Sequence, residues 1–178
     1  MKYFYLIIVF LVIKNYSFAQ TDTDGFRGFK WGTSKKIVLN INKSLKPLSH
    51  NRYIELDSAF GFMAKIGFDF TDGKLKSGIY FFQNYYTDYN LYFENYNKLK
   101  KLLISQYGKP SKDTLIFRFN EYKQLSESEI AREIFCGEIE CNTFWENKST
   151  DILLAISNDI ESDKIYFTLS LNKKTKHS

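Results

Sequence analysis

The chain has 178 residues, a formal net charge of +5, and an apolar fraction of 44%, with aromatics alone making up 18%. That is the length of one ordinary domain with a single sizeable core. Its only basic run is the tail Lys173-Lys174-Thr175-Lys176-His177, so it lacks the clustered Lys/Arg footprint of a nucleic-acid binder.

The first residues read as an export signal. Lys2 precedes an apolar run from Tyr3 to Ile13, Lys14-Asn15 restores polarity, and Ser17-Phe18-Ala19 places small residues where a signal peptidase cuts. Eleven helical residues span about 16 Å, roughly half a hydrocarbon core, so the run is too short for a transmembrane span. The sequence therefore predicts a signal peptide over 1–19, cleaved near Ala19, and a periplasmic or extracellular mature chain. A short flexible lead over 20–25, one domain over 26–172 and a basic tail over 173–178 complete the expected organisation. Cleavage would remove Lys2 and Lys14 and lower the positive surplus to about three.

Phe26 to Trp31 alternates aromatic with basic or small residues and reads as a first strand. Gly32-Thr33-Ser34 follows as a turn, with Thr33 or Ser34 as the N-cap of a helix carrying Ile37, Val38, Ile41 and Leu45 on one side. Lys35 and Lys36 in its first turn oppose the macrodipole, so packing must hold this helix. Strand signals then come in succession. Ile54 and Leu56 alternate with Tyr53 and Glu55, and Ala64, Ile66, Phe68 and Phe70 alternate with Lys65, Gly67, Asp69 and Thr71. Asp72-Gly73 is a two-residue hairpin signal. The return strand reads with Leu75, Ile79 and Phe81 on one face and Tyr80 and Phe82 on the other.

The stretch Tyr89–Pro110 is the principal helix. Tyr89, Tyr92, Tyr96, Leu99, Leu103 and Tyr107 form one stripe, and Gly108 and Pro110 end it. Beyond it, Leu115, Phe117 and Phe119 suggest a strand. Ser126-Glu127-Ser128-Glu129 suggests a capping box opening a short helix to about Phe135. Strands around Trp145, over Ile152–Ile156 and over Ile165–Leu171 close the chain. Residues 33–82 read as a helix then three strands, and 90–171 repeat that order with a short helix inserted. The fold class is α+β, a mostly antiparallel sheet with two main helices packed on one face.

Phe-Arg-Gly-Phe-Lys-Trp-Gly-Thr-Ser at 26–34, Tyr-Gly-Lys-Pro at 107–110, the late Trp145 and the two closing strands together resemble a group of small exported bacterial domains of unassigned function. Their shared order is Trp-Gly-x-Ser, helix, strands, helix, Tyr-Gly-x-Pro, strands. The arrangement is also similar to the β-lactamase-inhibitor-like fold, which implies binding and envelope-assembly roles and transfers no catalytic residue. Lys35 and Lys36 depart from the resemblance, whose members tend to carry Glu after the Ser.

Two cysteines, Cys136 and Cys141, flank Gly137 and form a candidate disulfide in an oxidising compartment. A zinc site would need two further ligands, and the only histidines are His50 and His177. His50 beside Ser49 lacks a nucleophile elbow. Paired carboxylates such as Glu55 and Asp57, on one side of a strand, could flank a glycosidic bond, but solvated edge acids are the commoner case, and Glu138 and Glu140 beside the cysteines read the same way. No phosphate, dinucleotide or calcium motif is present, so no cofactor is expected. The feature in surplus is aromatic. Phe82, Tyr85, Tyr86 and Tyr89 lie where the return strand passes to the principal helix, and exposed Tyr and Phe there suit a protein or glycan partner. The expectation is thus a non-enzymatic exported binding domain. A secreted hydrolase of envelope polymers, or a structural module of an envelope assembly, are the alternatives.

Overall fold

The computed structural model describes residues 24–82, 85–118, 125–159 and 164–175. The expected signal peptide and most of the flexible lead lie outside them, as do Phe119 and the end of the basic tail. The elements in order are β1 (Gly25–Phe26), β2 (Phe29–Lys30), α1 (Lys35–Ile41), β3 (Lys46–Pro47), β4 (Arg52–Ala59), β5 (Phe62–Thr71), β6 (Lys74–Phe82), α2 (Asn90–Tyr107), β7 (Lys112–Phe117), α3 (Glu127–Phe135), β8 (Ile139–Glu146), β9 (Thr150–Asp159) and β10 (Lys164–Lys173). No helix among the described residues is long and apolar enough to cross a membrane.

Eight strands form one antiparallel sheet in the order β3-β4-β5-β6-β10-β9-β8-β7, and β1-β2 is a separate hairpin. The α+β class and the mostly antiparallel sheet are as the sequence predicts. The repeated order is a helix then four strands, because Lys46–Pro47 adds a short edge strand and β7 opens the second set. The two sets meet through their last strands, β6 and β10, so along the chain each half runs inward from its own edge to the sheet centre.

Among the described residues, three hairpins turn on an X-Gly pair with both residues at positive φ: Arg27-Gly28, Phe60-Gly61 and Asp72-Gly73. This is the type I′ geometry that matches strand twist. The first of them overturns the single strand expected over Phe26–Trp31, since the chain reverses at Arg27-Gly28 and pairs Phe26 with Phe29. Among the described residues, regular structure therefore begins at Gly25, inside the stretch expected as a lead. At the other end Lys173 belongs to β10, and the Lys174 ammonium pairs with Glu146 at 3.1 Å, so the domain runs past residue 172.

The buried alternate set reads Ala64, Ile66, Phe68 and Phe70 on β5, Tyr80 and Phe82 on β6, Phe167, Leu169 and Leu171 on β10, and Ile152, Leu154 and Ile156 on β9. Helix α2 buries Tyr92, Phe93, Tyr96, Leu99 and Leu103, the expected stripe with Phe93 added. Its Tyr96 hydroxyl meets the Thr143 hydroxyl of β8 at 2.7 Å, and Thr143 donates in turn to Asp113 at 2.8 Å. Gly108 ends the helix at φ 81°, and its carbonyl accepts the Trp145 indole N–H at 2.9 Å. The Tyr-Gly-Lys-Pro turn is thereby tied to β8. Helix α3 carries the predicted capping box at Ser126 and Glu129, and its Phe135 carbonyl accepts from Asn158 of β9. Helix α1 is capped by Ser34 but buries only Val38. Ile37 and Ile41, one turn apart on the same side, are exposed, so of the apolar side expected for this helix only Val38 is buried within it.

The expected Cys136–Cys141 disulfide is absent, and both thiols are free. Cys136 caps α3 and is exposed, whereas Cys141 points into the buried side of β8 opposite Leu115 and Ile156. Between them Gly137, at φ 76°, and a Glu138 N–H to Glu133 carbonyl bond turn the chain away from the helix axis. The two side chains consequently enter different surroundings. Burial pushes the Cys141 thiol up from 9.0 to about 12, and burial likewise raises the Tyr96 phenol above its ordinary 10.0. In both cases the folded state keeps a proton that the unfolded chain releases. Stability is therefore complete below pH 9 and falls as pH climbs towards 12, by about 1.4 kcal/mol per pH unit for one such group. Urea unfolding at pH 8.5 and 10.5 should differ by about 2 kcal/mol, most of it lost in Cys141→Ala. A thiol reagent should label Cys136 at once and Cys141 only on unfolding.

Candidate functional site

On β4 the alternation is reversed relative to the simplest reading of its residues. Glu55 is buried and Leu56 is 69% exposed. The cause is the pairing register. Glu55 stands opposite buried Ile66, and Ile54 and Leu56 stand opposite Gly67 and Lys65 on the other face of β5. A second shift sits in β6. The pairing slips between Asp69 and Phe70, so that Phe70 meets Leu75 while Asp69 meets Ser77. The extra residue in the return strand is a β-bulge, and a bulge exchanges faces for everything beyond it. Leu75 is therefore buried with Phe70, whereas Ile79 and Phe81 turn outward. The expectation that Leu75, Ile79 and Phe81 share one face is corrected by that single residue.

Together these shifts place apolar side chains on the face opposite the buried set. One cross-strand row reads Ile54, Gly67, Ile79, and the next reads Leu56, Lys65, Phe81. Gly67 makes the first row concave. A Cβ there would lie 2.9 Å from the Ile79 Cγ2, closer than side-chain contacts allow, so Ile79 occupies the space that a side chain at 67 would need. The result is a groove of about 300 Å³ whose walls include Leu48, Ile54, Ile79, Phe81 and Tyr166, with Arg52 and Tyr85 at its margins. From the Arg52–Asp69 pair to the Ala64–Phe82 pair the lining spans five residue steps of β5, about 17 Å at ~3.4 Å per residue.

The predicted aromatic surface divides. Tyr85 is 76% exposed and stands on the groove. Phe82 also borders the groove, but its ring is core, stacked on Phe167 at 4.7 Å between centroids. Tyr86 packs edge-on against Tyr92 at 4.9 Å, its N–H bonded to the Tyr92 hydroxyl. Tyr89 packs on Phe135 at 5.7 Å. Phe82 is drawn inward by the alternation of β6, and Tyr86 and Tyr89 because the helix stripe continues into the loop before it. The site's remaining aromatics, Phe81 and Tyr166, sit on neighbouring strands.

The carboxylate pair takes another role. Arg27, at the tip of the β1-β2 hairpin, bridges Glu55 at 3.5 Å and Asp57. The second Glu55 oxygen accepts from Asn42 at 3.0 Å and from Ser44. This clasp holds the hairpin and the end of α1 to β4 and leaves no room between the two acids for a sugar ring and a water. His50 is exposed in the loop before β4, and its carbonyl accepts from Lys35. Among the described residues no group of three His, Cys, Asp or Glu is placed to hold a metal ion.

Isolated Gly inside a strand pattern was the available signal for this groove, since such a glycine marks a bulge or a close approach. The bulge opposite it carries no comparable mark. Compared with known proteins, the chain matches no protein-family model, no curated protein and no solved structure.

Proposed function

We propose that this chain is a non-enzymatic binding domain, exported by residues 1–19 and acting in the cell envelope or outside it, and that its ligand seats in the groove over Gly67. In this reading α1 and α2 lie together over the buried face of the sheet, and the opposite face of β4, β5, β6 and β10 is left for a partner. The observation that carries it is the outward pair Ile54 and Ile79 across the Gly67 floor, with Phe81 in the adjoining row. Two register features, the β4–β5 pairing and the β5–β6 bulge, spend apolar side chains on solvent there instead of on the core. A contiguous exposed apolar patch of this kind is the usual mark of a binding surface. The resemblance to small exported domains and to the β-lactamase-inhibitor-like fold supports the same class of role. Of the partners expected, a glycan suits the groove less well, because sugar hydroxyls need hydrogen-bond partners and the walls are mainly apolar.

The test uses the uncharged dye Nile red with the purified protein. One saturable site is expected, lost in Phe81→Ser and weakened severalfold in Tyr85→Ala, while unfolding free energies from urea titration stay within about 1 kcal/mol of the parent because both side chains are exposed. Dye binding that survives both substitutions would refute the site. Export is checked separately by intact mass: material recovered outside the cytoplasm should begin near Gln20 and not at Met1.

A further inference from the structure

The groove is apolar but not neutral. Lys65 stands in the middle of β5, between Leu56 and Phe81 across the neighbouring strands, and lines the groove. It joins none of the ion pairs among the described residues. The other cation of the lining, Arg52, is already matched, since its guanidinium grips both oxygens of Asp69. The site therefore offers one unmatched positive charge within an otherwise apolar wall.

Its backbone offers almost nothing. β5 and β6 are interior strands, hydrogen-bonded on both sides, and β10 is held between β6 and β9. The floor consequently has no spare row of N–H and C=O groups with which to satisfy a peptide or a sugar. A peptide laid over it would leave its own backbone groups to water or to nothing. A hydrocarbon chain has no such groups to satisfy, and a single carboxylate supplies the one counter-charge that Lys65 lacks.

On the reading of the groove as the binding site, we infer that its ligand is a single-chain carboxylate of the fatty-acid type, its tail along Ile54, Gly67, Ile79 and Phe81 and its head group on the Lys65 ammonium. The charge selects the anion and the groove selects the chain.

The experiment is calorimetric titration of the purified protein with dodecanoate, dodecanol and dodecyltrimethylammonium below their micelle-forming concentrations. Two further arms are an acidic decapeptide rich in Leu and Phe, and vesicles of phosphatidylcholine with phosphatidylglycerol. Dodecanoate is expected to bind one-to-one, about tenfold or more tighter than dodecanol, with no binding of the cationic amphiphile. Lys65→Met should remove that preference and leave dodecanol within about twofold of its parent value. Lys65→Arg should restore the preference, and a thermal melt of each variant shows whether it is folded. Phe81→Ser should weaken dodecanoate and dodecanol alike. Equal binding of dodecanoate and dodecanol to the parent overturns the carboxylate assignment and leaves the groove reading standing. Absence of binding by every amphiphile together with Nile red overturns both. Tighter binding of the peptide, or binding of vesicles without free dodecanoate, overturns the fatty-acid assignment in favour of a protein or a membrane surface.

Discussion

Gly78→Ala is expected to lower the unfolding free energy by about 3 kcal/mol or more, a large cost for one added methyl group. A Cβ at Gly78 would lie 2.3 Å from three atoms of the Phe26 ring, far inside the ~3.5–4.0 Å at which carbon atoms pack. The ring has nowhere to go. Phe26 is fully buried, edge-on to Phe68 at 5.0 Å and tilted against Tyr80 at 5.1 Å. The hairpin that carries it is anchored at its far end by the Gly32 N–H to the Leu75 carbonyl at 2.9 Å. Either the sheet deforms or Phe26 leaves its site, and expelling a buried Phe costs about 3–5 kcal/mol once the cavity is counted. Strand propensity alone predicts the opposite sign, since Ala is a better strand residue than Gly. The check is equilibrium urea unfolding of Gly78→Ala, Phe26→Ala and the double variant. The double should be more stable than the sum of the singles by at least about 2 kcal/mol. Additive effects would mean that the two residues do not share the space. Gly67→Ala provides the contrast. Its Cβ would press on one side-chain atom of Ile79 at the surface, and the expected cost is about 1 kcal/mol.

How far the sequence reads depends on how local the determining signal is. The α2 stripe, the Ser126 capping box, the Asp72-Gly73 turn and the β5 alternation depend on residues within a few positions of one another, and all four appear as predicted. What fails is decided at longer range. The bulge between β5 and β6 is a property of two strands together, and it turned Ile79 and Phe81 outward although their own alternation with Tyr80 and Phe82 is regular. Glu55 reads as a surface acid until Arg27, Asn42 and Ser44 are brought to it from three other segments. The same applies to the first hairpin. Arg27-Gly28 is a permitted type I′ pair, yet an Arg at positive φ is uncommon enough that alternation argued for a continuous strand. The candidate site was legible only at Phe82 and Tyr85. Its floor and walls come from the register of β4, β5 and β6, which no single segment specifies.

The Arg27 clasp should be the second most costly feature to break. Arg27 sits at φ 49°, a left-handed conformation that costs a non-glycine residue about 1 kcal/mol and needs compensation. The compensation is electrostatic. The Glu55 side chain is 6% exposed, and its Oε1 has no hydrogen-bond partner among the described residues; its counter-charge is the Arg27 guanidinium at 3.5 Å. Removing the cation strands a buried carboxylate. For a fully enclosed pair that costs about 3–5 kcal/mol. Here Asn42 and Ser44 still bond the other oxygen and Arg27 is 25% exposed, so Arg27→Met should cost about 2–3 kcal/mol. Glu55→Gln in the Arg27→Met background should recover more than half of that, because a neutral amide leaves no uncompensated charge. Arg27→Gly should cost less than Arg27→Met, since glycine relieves the backbone strain that methionine keeps. The same variants separate this reading from a hydrolase. A catalytic pair predicts that Glu55→Gln abolishes turnover of an envelope polymer with little change in stability. A clasp predicts a stability change that depends on Arg27. If Arg27→Met shifts the unfolding free energy by less than about 0.5 kcal/mol, Glu55 is not held by Arg27, and the carboxylate pair returns as the place to look for chemistry.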